Sequence, residues 1–238
     1  MKLVADCHFH TVDAGHAYST INEYAMEASE KGLELIGMTE HGPAMPGGPH
    51  EYFFDNLRIL PDVLHGVELY KGIEANIIGY DGETDAKDLR FEMDIVISSF
   101  HSSCLKPSSI KENTQAVIKS LENRYVNIIG HPDDSRVELD YKELAKAAAD
   151  SGVMIEVNNS SLKPTSFRLN ANENYEKLLE ECEKYKIYII LNSDAHFYED
   201  IGETDEAQEL VRKLGYPKEL IANANLSKLK QRLKIRRR

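Results

Sequence analysis

The histidines of this sequence stand out because most of them occupy equivalent positions. Seven of the nine follow apolar runs, either at the end of a run or in the loop after it, and Glu74 and Asp194 share that placement. His8 and His10 lie two residues apart, so in a strand they would share one face, about 7 Å apart by Cα. Imidazoles and carboxylates are ligands for zinc and other first-row divalent ions. The candidate metal ligands are His8, His10, His16, His41, Glu74, His101, His131, Asp194 and His196.

These groups predict hydrolysis assisted by several metal ions. Burying so many polar groups together would be costly without cations to pair with. A catalytic zinc site needs three protein ligands and an open position, so the set suffices for three divalent ions per chain, with zinc favoured and manganese or iron as alternatives. Metals about 3.5–4 Å apart can clamp the attacking and leaving oxygens of a phosphoryl displacement. We therefore expect a metal-bridging hydroxide to be the nucleophile, with Glu74, His101 and Asp194 as catalytic residues.

Seven short apolar runs precede these residues and predict the strands that position them. The runs cover residues 3–9, 33–40, 67–75, 93–100, 126–130, 153–158 and 187–192. They are rich in Val and Ile and nearly continuous, as is typical of parallel strands buried on both faces. Because the carboxyl ends of parallel strands open on one face, residues from 8 to 196 would converge there.

Helix signals fill the gaps between the runs. Thr20 with Glu23 and Asp140 with Glu143 form capping-box patterns, and Gly152 is placed to end the second of these helices. Further helices are expected over 113–124, over 172–185 and after Thr204. Strands alternating with helices predict an α/β fold, either a doubly wound sheet or a barrel.

Length and charge limit the classes of partner. The 238 residues carry a net charge of −12, and residues 1–238 are expected to form a single domain. Seven Lys and Arg lie in residues 228–238, which we interpret as the solvated basic end of a C-terminal helix; residues 1–227 then carry −19. An acidic body of that size disfavours long nucleic acid as a partner.

Other features predict a cytoplasmic protein without a membrane partner. No window approaches about 18 consecutive apolar residues, and no secretory h-region is present. The three cysteines do not form a paired pattern, which argues against a disulfide framework. Assembly into a homo-oligomer is left open by the sequence.

Six ordered motifs resemble those of the PHP family, the polymerase and histidinol phosphatase metalloenzymes. They are DCHFHT (6–11), TEHG (39–42), GIEAN (72–76), SFH (99–101), GHPD (130–133) and NSDAH (192–196). HAYST (16–20), GIEAN and EVNNSS (156–161) are most similar to the YcdX-like phosphatase branch. The resemblance covers almost the whole chain. It implies a distorted seven-stranded (βα)7 TIM-like barrel with a trinuclear metal site at the C-terminal ends of the strands.

The resemblance also implies how the ligands divide among three metals. His8, His10, Glu74 and Asp194 would hold the first; His16, His41 and His196 the second; and Glu74, His101 and His131 the third, with Glu74 bridging. Asp6 and Glu40 are expected to orient ligands rather than to bind a metal. By strand alternation Asp6 shares a face with His8 and would accept from an imidazole N–H, whereas Cys7 points away. Glu40 stands where the family usually has Asp.

Substrate contacts are expected in two loops. Lys163 and Arg168 follow the sixth run, and Arg58 lies in the Gly/Pro-punctuated loop after His41, a segment that could form a lid. Guanidinium groups favour bidentate contact with phosphate. The favoured function is hydrolysis of a small phosphorylated substrate, a phosphate monoester.

Three alternative functions stay open. Two belong to the same family: a histidinol-phosphatase, and an exonuclease or phosphodiesterase acting on nucleic acid. The third is an amidohydrolase-type C–N hydrolase. Such enzymes usually place a lysine at the fourth strand end, where this chain has His101.

Overall fold

Seven parallel strands and one short antiparallel strand form the sheet of the protein. The computed structural model describes residues 1–86 and 93–234. The strands are β1 Ala5–Phe9, β2 Leu35–His41, β3 Val63–Leu64, β4 Val67–Asn76, β5 Ile95–Ser99, β6 Ile128–Ile129, β7 Met154–Asn158 and β8 Ile189–Asn192. Each of the seven predicted runs overlaps one of the parallel strands, and β2 and β4 extend one residue beyond their runs.

The sheet curls into a nearly closed barrel. Its parallel strands follow the order β1-β2-β4-β5-β6-β7-β8, and β3 pairs antiparallel with β4 outside this path. Phe9 forms a parallel bridge with Ala195, and the backbone N–H of His10 donates to the carbonyl of Ala195 at 2.9 Å, which brings the first and last strands together. The predicted α/β barrel is therefore confirmed.

Eight α-helices are described, most of them packed against the outside of the barrel. They are α1 Ile21–Glu30, α2 Glu51–Asn56, α3 Ile110–Ser120, α4 Tyr141–Ser151, α5 Asn159–Leu162, α6 Ala171–Lys184, α7 Asp205–Lys213 and α8 Leu226–Lys234. None of the helices within the described ranges is both long enough and apolar enough to span a membrane.

The structure confirms the predicted capping residues of two helices and contradicts that of a third. Thr20 and Glu23 close the predicted capping box of α1. Asp140 caps α4, and Gly152 ends it at φ 71°, a left-handed conformation that glycine adopts without steric cost. Thr204 precedes α7, but its side chain does not cap that helix; its hydroxyl instead donates to the carbonyl of Gly202.

The buried apolar residues form two clusters. The larger one lies between the strands and the surrounding helices. The smaller one, which we call the lower cluster, combines strand residues with residues of the C-terminal segment. It consists of Ala5, Cys7, Leu35, Ile95, Ile97, Ile128, Met154, Ile190, Ala222, Leu229 and Leu233.

The C-terminal helix thus closes the end of the barrel opposite the strand C-termini. Leu229 and Leu233 of α8 are 0% and 2% exposed, and the side chain of Asn127 donates to the carbonyl of Leu233 at 2.9 Å. Residues 228–234 form the expected helix, and its basic residues are half-buried or exposed, but the opposite face of α8 packs into the barrel. Residues 235–238 of the basic segment lie outside the described residues.

Candidate metal centre

All nine predicted ligands meet at the C-terminal ends of the strands. Each is supplied by a strand end or by the loop that follows it, and every one of the nine comes within 3.7 Å of another through a ring nitrogen or a carboxylate oxygen. Three groups of such atoms have a spacing that suits a metal ion. They are His8, His10 and Asp194; His10, His41 and His196; and His41, Glu74 and His101.

The three ligand atoms of the first group have the spacing expected of donors around one zinc ion, and a fourth donor borders two of them. Nε2 of His8 lies 3.2 Å from Nε2 of His10, and Oδ1 of Asp194 lies 3.5 Å and 3.2 Å from these two nitrogens. Oε2 of Glu74 lies 3.4 Å from both. A tetrahedron with metal–ligand bonds of about 2.1 Å has edges of about 3.4 Å. The atoms of His8, His10 and Asp194 therefore have the separations of donors that share one ion, and Oε2 of Glu74 lies beside the two nitrogens.

The two oxygens of Glu74 face different imidazoles. Oε1 lies 2.6 Å from Nε2 of His131 and 3.3 Å from Nε2 of His101. Oε2, which faces His8 and His10, also lies 2.6 Å from Nδ1 of His41. Neither this oxygen nor this nitrogen makes a hydrogen bond in the described part of the chain, although both are buried. A cation shared between them would satisfy both atoms.

The groups differ in part from the predicted division of the ligands. His41 lies beside Glu74 and His101 as well as beside His16, whose Nε2 is 3.3 Å from its own Nε2. The ring centroid of His196 lies 5.0 Å from that of His16 and 4.7 Å from that of His10. The structure thus keeps the predicted neighbours together but places the groups so close that His10 and His41 each border two of them.

Four of the imidazoles have one nitrogen fixed by a hydrogen bond. In each of them Nδ1 faces an acceptor oxygen, so the proton lies there and Nε2 presents its lone pair. The pairs are His8 with Glu156 at 2.7 Å, His16 with the Ala14 carbonyl at 3.0 Å, His101 with Asn76 at 2.7 Å and His196 with the Asp194 carbonyl at 3.0 Å. A lone pair aimed at other lone pairs is the donor arrangement that a metal ion requires.

The charge at this end of the barrel also favours cations. Six carboxylates are buried there: Asp6, Glu40, Glu74, Asp133, Glu156 and Asp194. Arg168, which lies within 4.0 Å of Asp133 and Asp194, offsets part of this charge. Burying carboxylates is costly unless they are paired, so divalent ions would stabilise this arrangement.

The pKa shifts report the same field. Burial would raise the pKa of Glu74, but the imidazoles of His101 and His8 hold it well below its usual range. Burial would lower the pKa of His10, yet the nearby carboxylates of Asp194, Glu40 and Glu74 raise it to about 9. Such a field holds a proton on His10 when nothing else is bound, and a metal ion would take the place of that proton.

Other imidazoles are kept neutral by their surroundings. Burial and the nearby His10 lower the pKa of His196 to about 4 and hold that of His41 well below its ordinary value. Burial and Arg168 lower the pKa of His131. Neutral imidazole is the form that binds metals. Two of the ligand residues also have left-handed backbones, His131 at φ 27° and Asp194 at φ 55°, a strain that is typical of functional sites.

A β-bulge changes the predicted role of Asp6. The register between β1 and β2 shifts between Asp6 and Phe9, so strict alternation does not hold along β1. The carboxylate of Asp6 accepts from the hydroxyl of Ser193 at 2.5 Å and from the backbone N–H groups of Gly202 and His8 at 2.8 and 3.3 Å. The prediction that Asp6 orients an imidazole is therefore wrong; Asp6 ties β1 to the loop after β8. Ser193 is correspondingly a structural residue.

Glu156 takes the role that was assigned to Asp6. It lies on β7, is fully buried, and holds Nδ1 of His8 through Oε1. Its other oxygen accepts from the backbone N–H of His131 at 2.9 Å. The sequence analysis did not single out Glu156, because the candidate residues were those at the ends of the apolar runs and Glu156 lies within one. The available signal was an acid in the middle of a run that is otherwise apolar.

Glu40 and the Asn76–Asp85 pair also hold the ligands in place. Glu40 accepts from the backbone N–H of Thr11 at 2.6 Å, and its other oxygen lies 3.7 Å from Nδ1 of His10. Asn76, which holds His101, donates in turn to Asp85 at 2.6 Å. These contacts fix the imidazoles from behind.

A cavity of about 490 Å³ opens beside the ligands. Lys163 and Arg168 line it, as does Arg136, which sequence reasoning missed. Lys163 donates to Asp200 at 2.9 Å, and Arg168 donates to the hydroxyl of Ser161 at 2.9 Å. Arg58 is exposed on a 3-10 turn after α2 and is absent from the described residues that line the cavity, so this cavity does not support its predicted substrate contact.

Comparison with known proteins gives one family match and several relatives. The PHP domain family matches residues 6–160. A protein of Acetivibrio thermocellus named a probable phosphatase is 42% identical over 236 residues, which cover 98% of this chain and 96% of that protein.

Two solved structures share the fold. Histidinol phosphate phosphatase from Lactococcus lactis, determined with zinc, L-histidinol and phosphate, matches with a TM-score of 0.65 and 20% identity over 90% of this chain and 94% of that one. A chain of an archaeal ribonuclease P complex with mature tRNA matches with a TM-score of 0.59 and 14% identity over 97% and 90%. At these identities the likeness establishes the fold alone.

Proposed function

The chain belongs to the PHP domain family, and from this premise we propose that it hydrolyses small phosphate monoesters with three divalent metal ions held at the barrel rim. The general class is that of a metal-dependent phosphoesterase, in keeping with its relatives of the same length that are named probable phosphatases. The observation that carries the proposal is the spacing of the ligand atoms of His8, His10 and Asp194, 3.2–3.5 Å apart, with Oε2 of Glu74 3.4 Å from both imidazoles.

Each of the nine predicted ligands has a place in this proposal. His8, His10, Asp194 and one oxygen of Glu74 would hold the first ion. His101, His131 and the other oxygen of Glu74 would hold the second. His16, His41 and His196 would hold the third. When bound, such ions supply Lewis acidity toward phosphoryl oxygens and a hydroxide nucleophile at neutral pH. Zinc suits this mixture of imidazole and carboxylate, with manganese and iron as alternatives.

The protein's own part in the reaction is to orient the donors and to bind the substrate beside them. Glu156 and Asn76 hold the Nδ1 protons of His8 and His101, so that Nε2 of each ring stays a free donor. Arg168 projects into the cavity beside Asp194 and is placed to bind a phosphoryl oxygen. Lys163 would support the substrate from the same wall after leaving Asp200.

We further propose that residues 1–238 act as a single domain. β1 and α8, which lie at opposite ends of the chain, contribute to the same lower cluster. Preference for small substrates over long nucleic acid, a cytoplasmic location and any homo-oligomer stay predictions from the sequence, as does membership of the YcdX-like branch.

Elemental analysis together with an activity assay tests the proposal. The purified protein should contain about three divalent ions per chain and should cleave 4-nitrophenyl phosphate, and a chelator should abolish cleavage until zinc or manganese is restored. A reproducible content of one ion would contradict the three-metal site. Degradation of oligonucleotide ends without cleavage of the aryl phosphate would replace the monoesterase proposal by the exonuclease alternative.

A further inference from the structure

One wall of the cavity is apolar and deep, which the metal chemistry does not require. It is formed by Phe100, Val117, Ile129, Val137 and Leu139, which we call the apolar wall. Val117, Ile129 and Val137 are only 2%, 1% and 8% exposed, so the cavity reaches into the protein core here. Phe100 directly precedes His101, and Ile129 lies two residues before His131. The wall therefore begins beside the ligands of one proposed ion.

The volume of the cavity exceeds what a phosphoryl group alone needs. At about 490 Å³ it falls among the pockets of about 300–1,000 Å³ that enclose whole small molecules. A phosphoryl group anchored at the metal centre would leave most of this space to the alcohol part of the ester. The apolar wall is thus the surface that the alcohol part would contact.

One polar group of the cavity lining, the hydroxyl of Ser98, is already used within the protein. The hydroxyl of Ser98, which lines the cavity, lies 2.7 Å from the hydroxyl of Ser120. Ser120 in turn donates to the carbonyl of Val117 at 2.8 Å, so the proton of Ser98 is directed at Ser120. A hydroxyl-rich alcohol placed against this wall would lose water without gaining new donors, which is costly.

The mouth of the cavity carries a further large apolar group. Phe167 is 72% exposed, and the guanidinium carbons of Arg136 and Arg168 lie 5.0 and 5.7 Å from its ring centroid. Two cations within about 6 Å of the ring centroid stabilise this position of the ring. An exposed aromatic ring at the entrance extends the apolar surface that an incoming ester meets.

We infer that the cavity selects phosphate monoesters whose alcohol part bears an apolar group, aromatic or branched aliphatic, over esters of polyhydroxy alcohols. This inference rests on the proposed function, since it assumes that the phosphoryl group lies at the metal centre. The apolar wall would bury the hydrocarbon part of the ester, and the free energy gained there would appear as discrimination between substrates.

Binding of two phosphonates that cannot be hydrolysed tests the inference. Calorimetric titration of the metal-loaded full chain should show that benzylphosphonate binds about tenfold or more tightly than 2,3-dihydroxypropylphosphonate, because only the former buries an apolar group. Equal affinities, or tighter binding of the dihydroxypropyl compound, would overturn the inference and leave the proposed function standing. If neither compound binds the folded, metal-loaded protein, the proposed function itself fails and the inference with it.

Two valine variants locate the effect. Val137→Asp places a charge on the apolar wall and should reduce the preference for benzylphosphonate to within about twofold. Val63→Asp is the matched control, because Val63 is 55% exposed on β3 and lies away from the cavity lining, and the wild-type preference should persist. Should Val137→Asp fail to fold by circular dichroism, Val137→Thr, with the same shape, should still weaken the preference by about threefold. A full wild-type preference in the folded Val137 variant would overturn the assignment of the wall.

Discussion

The two ends of the barrel interior are lined by opposite kinds of side chain. At the lower end Ile97, Ile128 and their neighbours pack with Leu229 of α8, and these side chains require nothing beyond one another. At the upper end the same strands present imidazoles and carboxylates that face one another at 2.6–3.5 Å. Only three residues lie between Ile97 and His101 along the chain. The lower end can therefore hold the fold by itself, whereas the upper end is completed by cations.

The largest effect is expected from breaking the upper end at Glu74. Glu74→Gln removes the charge that faces two of the proposed ions, so metal content should fall and hydrolysis of 4-nitrophenyl phosphate should drop by roughly 10³-fold or more. Glu68→Gln is a control on the same strand, since Glu68 is only half-buried and pairs with Lys230 near the lower end. Wild-type turnover in Glu74→Gln would remove Glu74 from the site.

The next largest effect is expected from a substitution at the lower end, which should reduce the stability of the fold without changing metal binding or activity. Leu229→Ala leaves a hole where α8 closes the barrel, and the free energy of unfolding should fall by about 2–5 kcal/mol. Urea denaturation measures this, with Met26→Ala on α1, which is 46% exposed, as a control of small effect. Metal content and activity per folded molecule should stay at the wild-type level. A loss of metal without a loss of stability would contradict the independence of the two ends.

A smaller effect is expected behind the ligands, at Glu156. Glu156→Gln keeps the shape of the side chain but weakens its hold on His8, so metal affinity should fall by about 10–100-fold. Competition with a chelator of known affinity gives the measurement. Excess metal should restore activity in Glu156→Gln, which distinguishes it from a ligand variant. Activity that excess metal does not restore would assign Glu156 a direct part in the reaction.

Features that depend on residues close together in the chain could be predicted from the sequence. The strands and the caps of α1 and α4 depend on residues close together in the chain, such as Thr20 with Glu23, and these were predicted. The convergence of the ligands was also predictable, because parallel strands all end on one face. The lower cluster was not foreseen in full, since nothing in the charged segment after Leu226 shows that Leu229 and Leu233 would enter the barrel.

The errors arise where the outcome depends on distant parts of the chain. Asp6 was misassigned because the bulge in β1 is defined only by its pairing with β2. Glu156 was missed because its partners, His8 and His131, are 148 and 25 residues away. Arg58 was predicted to contact the substrate, but it is exposed outside the cavity lining. Loop composition does not determine the side of the molecule on which α2 and the turn after it lie.

The smallest effects are expected from substitutions of two arginines, one inside the cavity and one outside it. Arg168 is 10% exposed and reaches from the cavity to Asp194, whereas Arg58 is exposed outside it. If Arg168 binds the phosphoryl group, Arg168→Ala should raise KM about tenfold, as expected for loss of a charge-assisted hydrogen bond. Arg58→Ala should leave KM and kcat within about twofold, because exposed side chains away from a site contribute little.

The division of the Arg168 effect between KM and kcat decides what this residue does. If kcat and metal content fell in Arg168→Ala while KM stayed constant, Arg168 would support the predicted metal ligand Asp194 and would not bind the substrate. Its contacts with Ser161 and Asp194 allow that role. Arg168→Lys sharpens the test, since lysine keeps the charge but loses the planar fork that reaches two acceptors. Recovery of KM in Arg168→Lys would mean that charge alone attracts the substrate. If KM stays raised in Arg168→Lys, binding of the ester requires the planar guanidinium group and not its charge alone.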